Sequence, residues 1–190
     1  MGRNLFRVAG FLKELEMILP RFAHTYNLPG RELLPHREPF LFLDSLISAD
    51  ETGSLGEYVF AEERNDFFRG HFPDFPVVPG VVLVEAMCQS AGAGVVARGG
   101  LVKWADKGAF VLAAVESARF RRMVRSGERF VTVTRRIRSC GRLFVFDVEG
   151  YVADELAANC RVKCVLGAVE DGGKISLGSE GDKGRDADIL

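Results

Sequence analysis

Gly70-His71-Phe72-Pro73-Asp74-Phe75-Pro76-Val77-Val78-Pro79-Gly80 runs directly into Val81-Val82-Leu83-Val84-Glu85-Ala86-Met87-Cys88-Gln89. In the first half Pro73, Pro76 and Pro79 hold φ near about −65° and bias the residues before them towards extended backbone. Phe67, Phe68, Phe72 and Phe75 add apolar anchors. This reads as an ordered loop in which His71 has a defined position. In the second half, Val81 to Ala97 is almost entirely apolar or small, with Pro79-Gly80 as a helix start. A helix apolar on every side is buried, in a core or in a membrane. Glu85 and Gln89 lie inside it and Arg98 ends it. A carboxylate at the bilayer centre costs about 2.5–3.5 kcal/mol, and a span needs about 20 apolar residues. A core helix is the expectation, with Gly92 and Gly94 admitting close approach of another backbone.

Glu85 in that helix needs an explanation, because a buried charge without a partner is costly. The bland reading is an Arg partner or a helix end that reaches solvent. The functional reading is a carboxyl facing a pocket, able to carry a proton at neutral pH among apolar neighbours. Imidazole is the side chain best suited to accept a proton near neutrality, which makes His71 the candidate base. Backbone N–H groups around Gly80, at a helix N-terminus, suit developing negative charge. This is equipment for proton transfer beside a carbonyl. The alternative for His71 is a purely structural ring.

Three blocks carry a family resemblance. Leu33-Leu34-Pro35-His36-Arg37-Glu38-Pro39-Phe40-Leu41-Phe42-Leu43-Asp44 opens it. Gly70-His71-Phe72-Pro73 with Pro76, Pro79-Gly80, Glu85-Ala86-Met87 and Gln89 forms the centre. Glu116-Ser117-Ala118-Arg119-Phe120-Arg121-Arg122 follows. In this order, over about residues 31–168, they resemble the 3-hydroxyacyl-[acyl-carrier-protein] dehydratases of fatty-acid synthesis. The resemblance implies an α+β hotdog fold, an antiparallel sheet wrapped around one long apolar helix, assembled as a homodimer or a trimer of dimers. It implies removal of water from (3R)-3-hydroxyacyl thioesters on acyl carrier protein to give trans-2-enoyl thioesters. His71 and Glu85 would be catalytic, His71 of one subunit meeting Glu85 of its partner. Phe72, Pro79, Gly80, Val81 and Gln89 would bind substrate. Gln89, one turn after Glu85, either orients the site or fills a buried polar gap. His36 belongs to the first block but reads as structural, and His24 carries no signal. The turn after the third block departs from the family's frequent prolines, reading Met123-Val124-Arg125-Ser126-Gly127, and Gly127 keeps it possible. Two rivals remain: a hotdog thioesterase, and a non-catalytic subunit that binds acyl carrier. A related class that also isomerises the double bond has Asp at the Glu85 position, so Glu85 favours dehydration alone.

Arg119, Arg121, Arg122 and Arg125 form a basic cluster. It reads either as a solvated strand edge or, with the resemblance, as a landing patch for an acidic carrier protein. A net charge of −1 gives no bias towards nucleic acid. Neither a metal nor another cofactor is expected. Cys88, Cys140, Cys160 and Cys164 contain no Cys-x-x-Cys pair and suit a reducing cytoplasm.

Residues 1–30 are expected to be an N-terminal helix and connection. Leu5, Val8, Leu12, Leu15 and Leu19 follow helical spacing, and Pro20 ends the run. Lys13, Glu14 and Glu16 break it too early for a signal peptide. The strands expected are Phe40 to Ile47, Gly53 to Phe60, Phe110 to Phe120, Arg129 to Ile137, Leu143 to Val152 and Leu156 to Val165, read as a meander. Phe130, Thr132 and Thr134 alternate with Val131 and Val133 as in a half-buried strand. Residues 169–190, rich in Gly, Ser, Asp and Lys, are expected to be a disordered tail.

Overall fold

The computed structural model describes residues 22–98, 109–169 and 175–176. The N-terminal helix expected before Pro20 lies outside these residues. The strands are β1 (His24–Pro29), β2 (Ser45–Asp50), β3 (Gly53–Val59), β4 (Ala109–Phe120), β5 (Arg129–Cys140), β6 (Leu143–Val152), β7 (Glu155–Val169) and β8 (Ile175–Ser176). The helices are α1 (Gly30–Leu33) and α2 (Gly80–Arg98). The strands form one sheet in the order β1-β2-β3-β5-β6-β7-β4, with β8 on β7. Every pairing is antiparallel.

The sheet wraps α2, which is long and apolar enough to cross a membrane by composition but is buried inside the protein. Leu83, Met87 and Ala91 share a core with Phe60, Phe130, Phe146 and Val148. Ala93, Val96 and Ala97 share a second with Leu33, Leu43 and Leu46. Each such large side chain, fully removed from water, contributes about 1.5–3 kcal/mol. The helix lies tight against β3, since a Cβ at Gly94 would sit 2.5 Å from the Ser54 side chain. A Cβ at Gly92 would meet the Phe110 ring of β4 at 3.4 Å, an ordinary contact. The clearance at Gly94 is thus used within the chain. A single long helix inside an antiparallel sheet of this order is the hotdog arrangement.

Five local expectations change. Phe40 to Asp44 is not strand, and β2 begins at Ser45. The reason is a helix side chain: Phe42 N–H donates to Gln89 Oε1, and Gln89 Nε2 donates to the Phe40 carbonyl. Residues 24–29, expected as connection, pair with β2 as an edge strand. The strands do not form a simple meander, because β4 pairs with β7 at the far edge while β3 pairs with β5. Strand β5 is buried on both faces over Phe130 to Thr134. Thr132 Oγ1 donates to Ser90 Oγ on α2, while Phe22 packs on Val131 and Val133 from the other side. In the tail, Ile175–Ser176 pairs with β7, so that part belongs to the sheet.

Candidate active site

His71 sits in a loop whose backbone is internally bonded. Its N–H donates to Phe67 O at 2.9 Å, Phe75 N–H donates to Phe72 O at 2.9 Å, and Val77 N–H donates to His71 O at 3.0 Å. Val78 N–H then donates to Val124 O, tying the loop to the turn after β4. Gly127 closes that turn with a φ of +79°, a conformation that favours glycine. The His71 ring stacks on Phe72 at 4.2 Å between centroids. Its Nδ1 lies 3.0 Å from Val77 O. A carbonyl only accepts, so Nδ1–H is the donor and the Nε2 lone pair of the neutral ring is left free.

Glu85 projects from the first half of α2 with its side chain 22% exposed. Gln89, one turn on, donates from Nε2 to Glu85 Oε1 at 2.9 Å. Gln89 itself is buried, and its other bonds go to Phe40 O and Phe42 N–H. Both of its N–H groups are therefore used inside the protein, which suits orienting Glu85 rather than touching a ligand. His36 Nε2 approaches the same Oε1 at 3.7 Å. Neither composition nor spacing marks His36 as a neighbour of Glu85. The first block, which contains it, was the only available signal. Burial holds the His36 imidazole below its ordinary value, with Glu85 opposing the shift and Arg37 adding to it.

Glu85, His36 and Gln89 line a cavity of about 30 Å³ together with Cys88, Phe110 and Cys164. It has room for a water or two. Among the described residues that line it, His71 is not one. The Cys88 thiol is pushed well up, first by its hydrogen bond with Cys164 and then by burial. Burial pushes the Cys160 thiol up to about 12. Neither is a ready nucleophile.

At the start of α2, Val82 and Leu83 N–H both donate to Pro79 O. The N–H groups of Gly80 and Val81 precede this first turn and point out of the helix end. The Phe120 ring covers Gly80, where a Cβ would lie 2.8 Å from it. Val81, Phe72 and Phe120 are exposed at 77%, 55% and 51%, an apolar surface around the helix entrance.

The basic cluster divides. Arg122 is clamped: it donates to Glu128 at 2.7 and 2.8 Å, to Glu155 at 2.8 Å and to Met123 O at 3.0 Å. Arg119, Arg121 and Arg125 are exposed. Arg121 donates to Asn159 Oδ1, and Arg125 lies over the Phe75 ring. Among the described residues no group of His, Cys, Asp or Glu is arranged to hold a metal ion.

Fold and site together define a hotdog protein with a held carboxyl on its central helix and a held imidazole in the loop leading into it. The chain belongs to the FabA-like family, whose domain model matches residues 34–161. It is 31% identical over 135 residues to the 3-hydroxyacyl-[acyl-carrier-protein] dehydratase FabZ of Polynucleobacter asymbioticus, covering 71% of this chain and 88% of that one. It is 33% identical over 139 residues to the enzyme of the same name from Saccharophagus degradans, covering 70% and 92%. Among solved structures, a chain of the dehydratase heterocomplex ApeI:P from Xenorhabdus doucetiae superposes with a TM-score of 0.62 at 17% identity. That match covers 74% of this chain and 91% of the other, and it shows the shared fold.

Proposed function

We propose that this protein eliminates water from 3-hydroxyacyl thioesters carried on acyl carrier protein, with His71 as base and Glu85 as acid. The observation that carries the reading is Glu85, a carboxyl on an otherwise apolar helix, held by Gln89 and facing a cavity. Its relatives' names give the reaction class.

In the forward direction His71 Nε2 takes the proton from C2. The charge that develops on the thioester oxygen is received by the N–H groups of Gly80 and Val81 at the α2 N-terminus. Glu85 gives its proton to the C3 hydroxyl, the C3–O bond breaks, and water leaves as the C2–C3 double bond forms. Gln89 donates to Oε1, so the acidic proton belongs on Oε2. Hydration reverses the two roles. Each such proton transfer is typically worth about 10²–10⁴ in rate.

The site is shared between two copies. His71 lies outside the Glu85 cavity, and that cavity is too small for an acyl chain. Strand β4 is a long edge with Leu112, Val115 and Phe120 exposed, the kind of edge that pairs with another chain. A symmetric homodimer built on it supports two composite sites. Arg119, Arg121 and Arg125, beside Phe120, form the landing patch for the acidic carrier. The free thiols of Cys88, Cys140, Cys160 and Cys164 suit a reducing cytoplasm as the reaction's setting.

Incubation with a 3-hydroxyacyl carrier followed by mass spectrometry tests the reading. Loss of water is expected. Release of free acid would instead establish the thioesterase, and binding without conversion the non-catalytic subunit.

A further inference from the structure

We infer that His36 is a positioning residue for Glu85: its neutral imidazole shares with Gln89 the task of holding Oε1, which leaves Oε2 aimed at the substrate. The inference rests on the acid role proposed for Glu85. Three observations converge on it. His36 Nε2 and Gln89 Nε2 address the same carboxyl oxygen, at 3.7 and 2.9 Å. His36 lines the cavity that Glu85 lines, and its Nδ1 is buried with no hydrogen-bond partner among the described residues. The loop that presents it is pinned on both sides. Arg37 Nη1 donates to the carbonyls of Leu34 and His36 at 2.9 and 2.7 Å. Further along, Arg64 bridges Glu38 and Asp44, and Gln89 holds Phe40 and Phe42.

A distance of 3.7 Å is beyond a hydrogen bond. Catalytic contacts are often long before substrate binds and tighten in the complex. The pinned loop makes the required movement small. Burial disfavours the imidazolium, so the neutral ring carries one proton. With Nε2–H directed at the carboxyl, Nδ1 is an acceptor facing away from it. A carboxyl held from two sides at one oxygen loses rotational freedom. Misplacement of a reacting group by about 1 Å costs on the order of 10²-fold.

The test compares His36→Gln with His36→Leu. Gln carries an N–H near the Nε2 position, whereas Leu fills a similar volume without one. Positioning predicts that His36→Gln retains most of kcat, while His36→Leu loses about 10–100-fold in kcat with KM little changed. It also predicts that His36→Leu costs nothing further in a Glu85→Gln background, because the effect runs through Glu85. Should His36→Leu not fold, His36→Ala replaces it, with the same loss expected and added imidazole restoring turnover. Equal turnover of the Gln and apolar variants, or an undiminished loss in the Glu85→Gln background, overturns the inference. A wild-type chain that does not dehydrate would overturn the functional reading itself, which is a distinct result.

Discussion

Gln89 donates to Glu85 across one turn of α2, at 2.9 Å, and is itself fixed by the backbone of Phe40 and Phe42. The loop from Leu34 to Asp44 thereby sets the direction of a carboxyl on the central helix.

Glu85→Gln preserves this bond, because the new amide oxygen still accepts from Gln89, but it removes the acidic proton. The variant is expected to fold with a thermal midpoint close to wild type, to bind acyl carrier, and to turn over at least about 10²-fold more slowly. A lowered midpoint with wild-type turnover per folded molecule would show that the carboxyl is structural.

His71→Ala removes the free Nε2 but leaves the loop's backbone bonds to Phe67 and Val77 in place. The expected result is a folded protein with dehydration slowed by at least about 10², the low end for a general base. Near-normal turnover in that variant rules out the role.

Mixing the two variants tests the shared site. In a dimer of one His71→Ala and one Glu85→Gln subunit, one site carries both substitutions and the other is intact. Co-refolding equal amounts should restore about a quarter of wild-type activity. If mixed dimers form and remain inactive, base and acid act within one chain.

The arginines should separate by assay. Arg122→Ala breaks its bonds to Glu128 and Glu155, and hydrogen bonds to charged groups contribute about 1.5–3 kcal/mol. Urea unfolding should show a loss of that order. Arg119→Glu should leave the unfolding midpoint unchanged, raise KM for the carrier-bound substrate and weaken the salt dependence of kcat/KM. An unchanged KM at low salt argues that Arg119 belongs to a solvated edge.

Stability should begin to fall as pH drops through about 6.5 and keep falling until the His36 of the folded protein is itself protonated. The folded-state value of His36 is depressed below its ordinary 6.5, chiefly by burial. As pH drops through 6.5 the unfolded chain takes up the proton first, so unfolding is favoured. Glu128, held low by Arg122, and Asp147, held low by Arg161, lose their contributions only below their ordinary 4.5 and 3.8. His36→Gln should flatten the upper part of this dependence in urea titrations. An equal slope in the variant would assign it to another group.

The buried helix, the ordered loop before it and the two polar groups they carry are legible in the amino-acid sequence alone. The apolar run from Val81 to Ala97 is too long for a strand, and Glu85 and Gln89 within it argue against a membrane span, which leaves a core helix; a proline-stiffened loop has few conformations. Strands β3, β4 and β6 are closely legible there too, because turn residues punctuate them. Tertiary structure decided the rest. The apolar run from Phe40 reads as strand, yet Gln89 takes its backbone partners, and a long-range bond of that kind leaves no mark on local pattern. The position of β4 beside β7 depends on which edge remains after β3 pairs with β5. Burial of both faces of β5 depends on Phe22 arriving from outside the strand's own alternation. His36 illustrates the limit most directly: periodicity cannot bring it to Glu85, because the two are far apart in the chain. They meet only where the pinned loop folds over the first turns of α2.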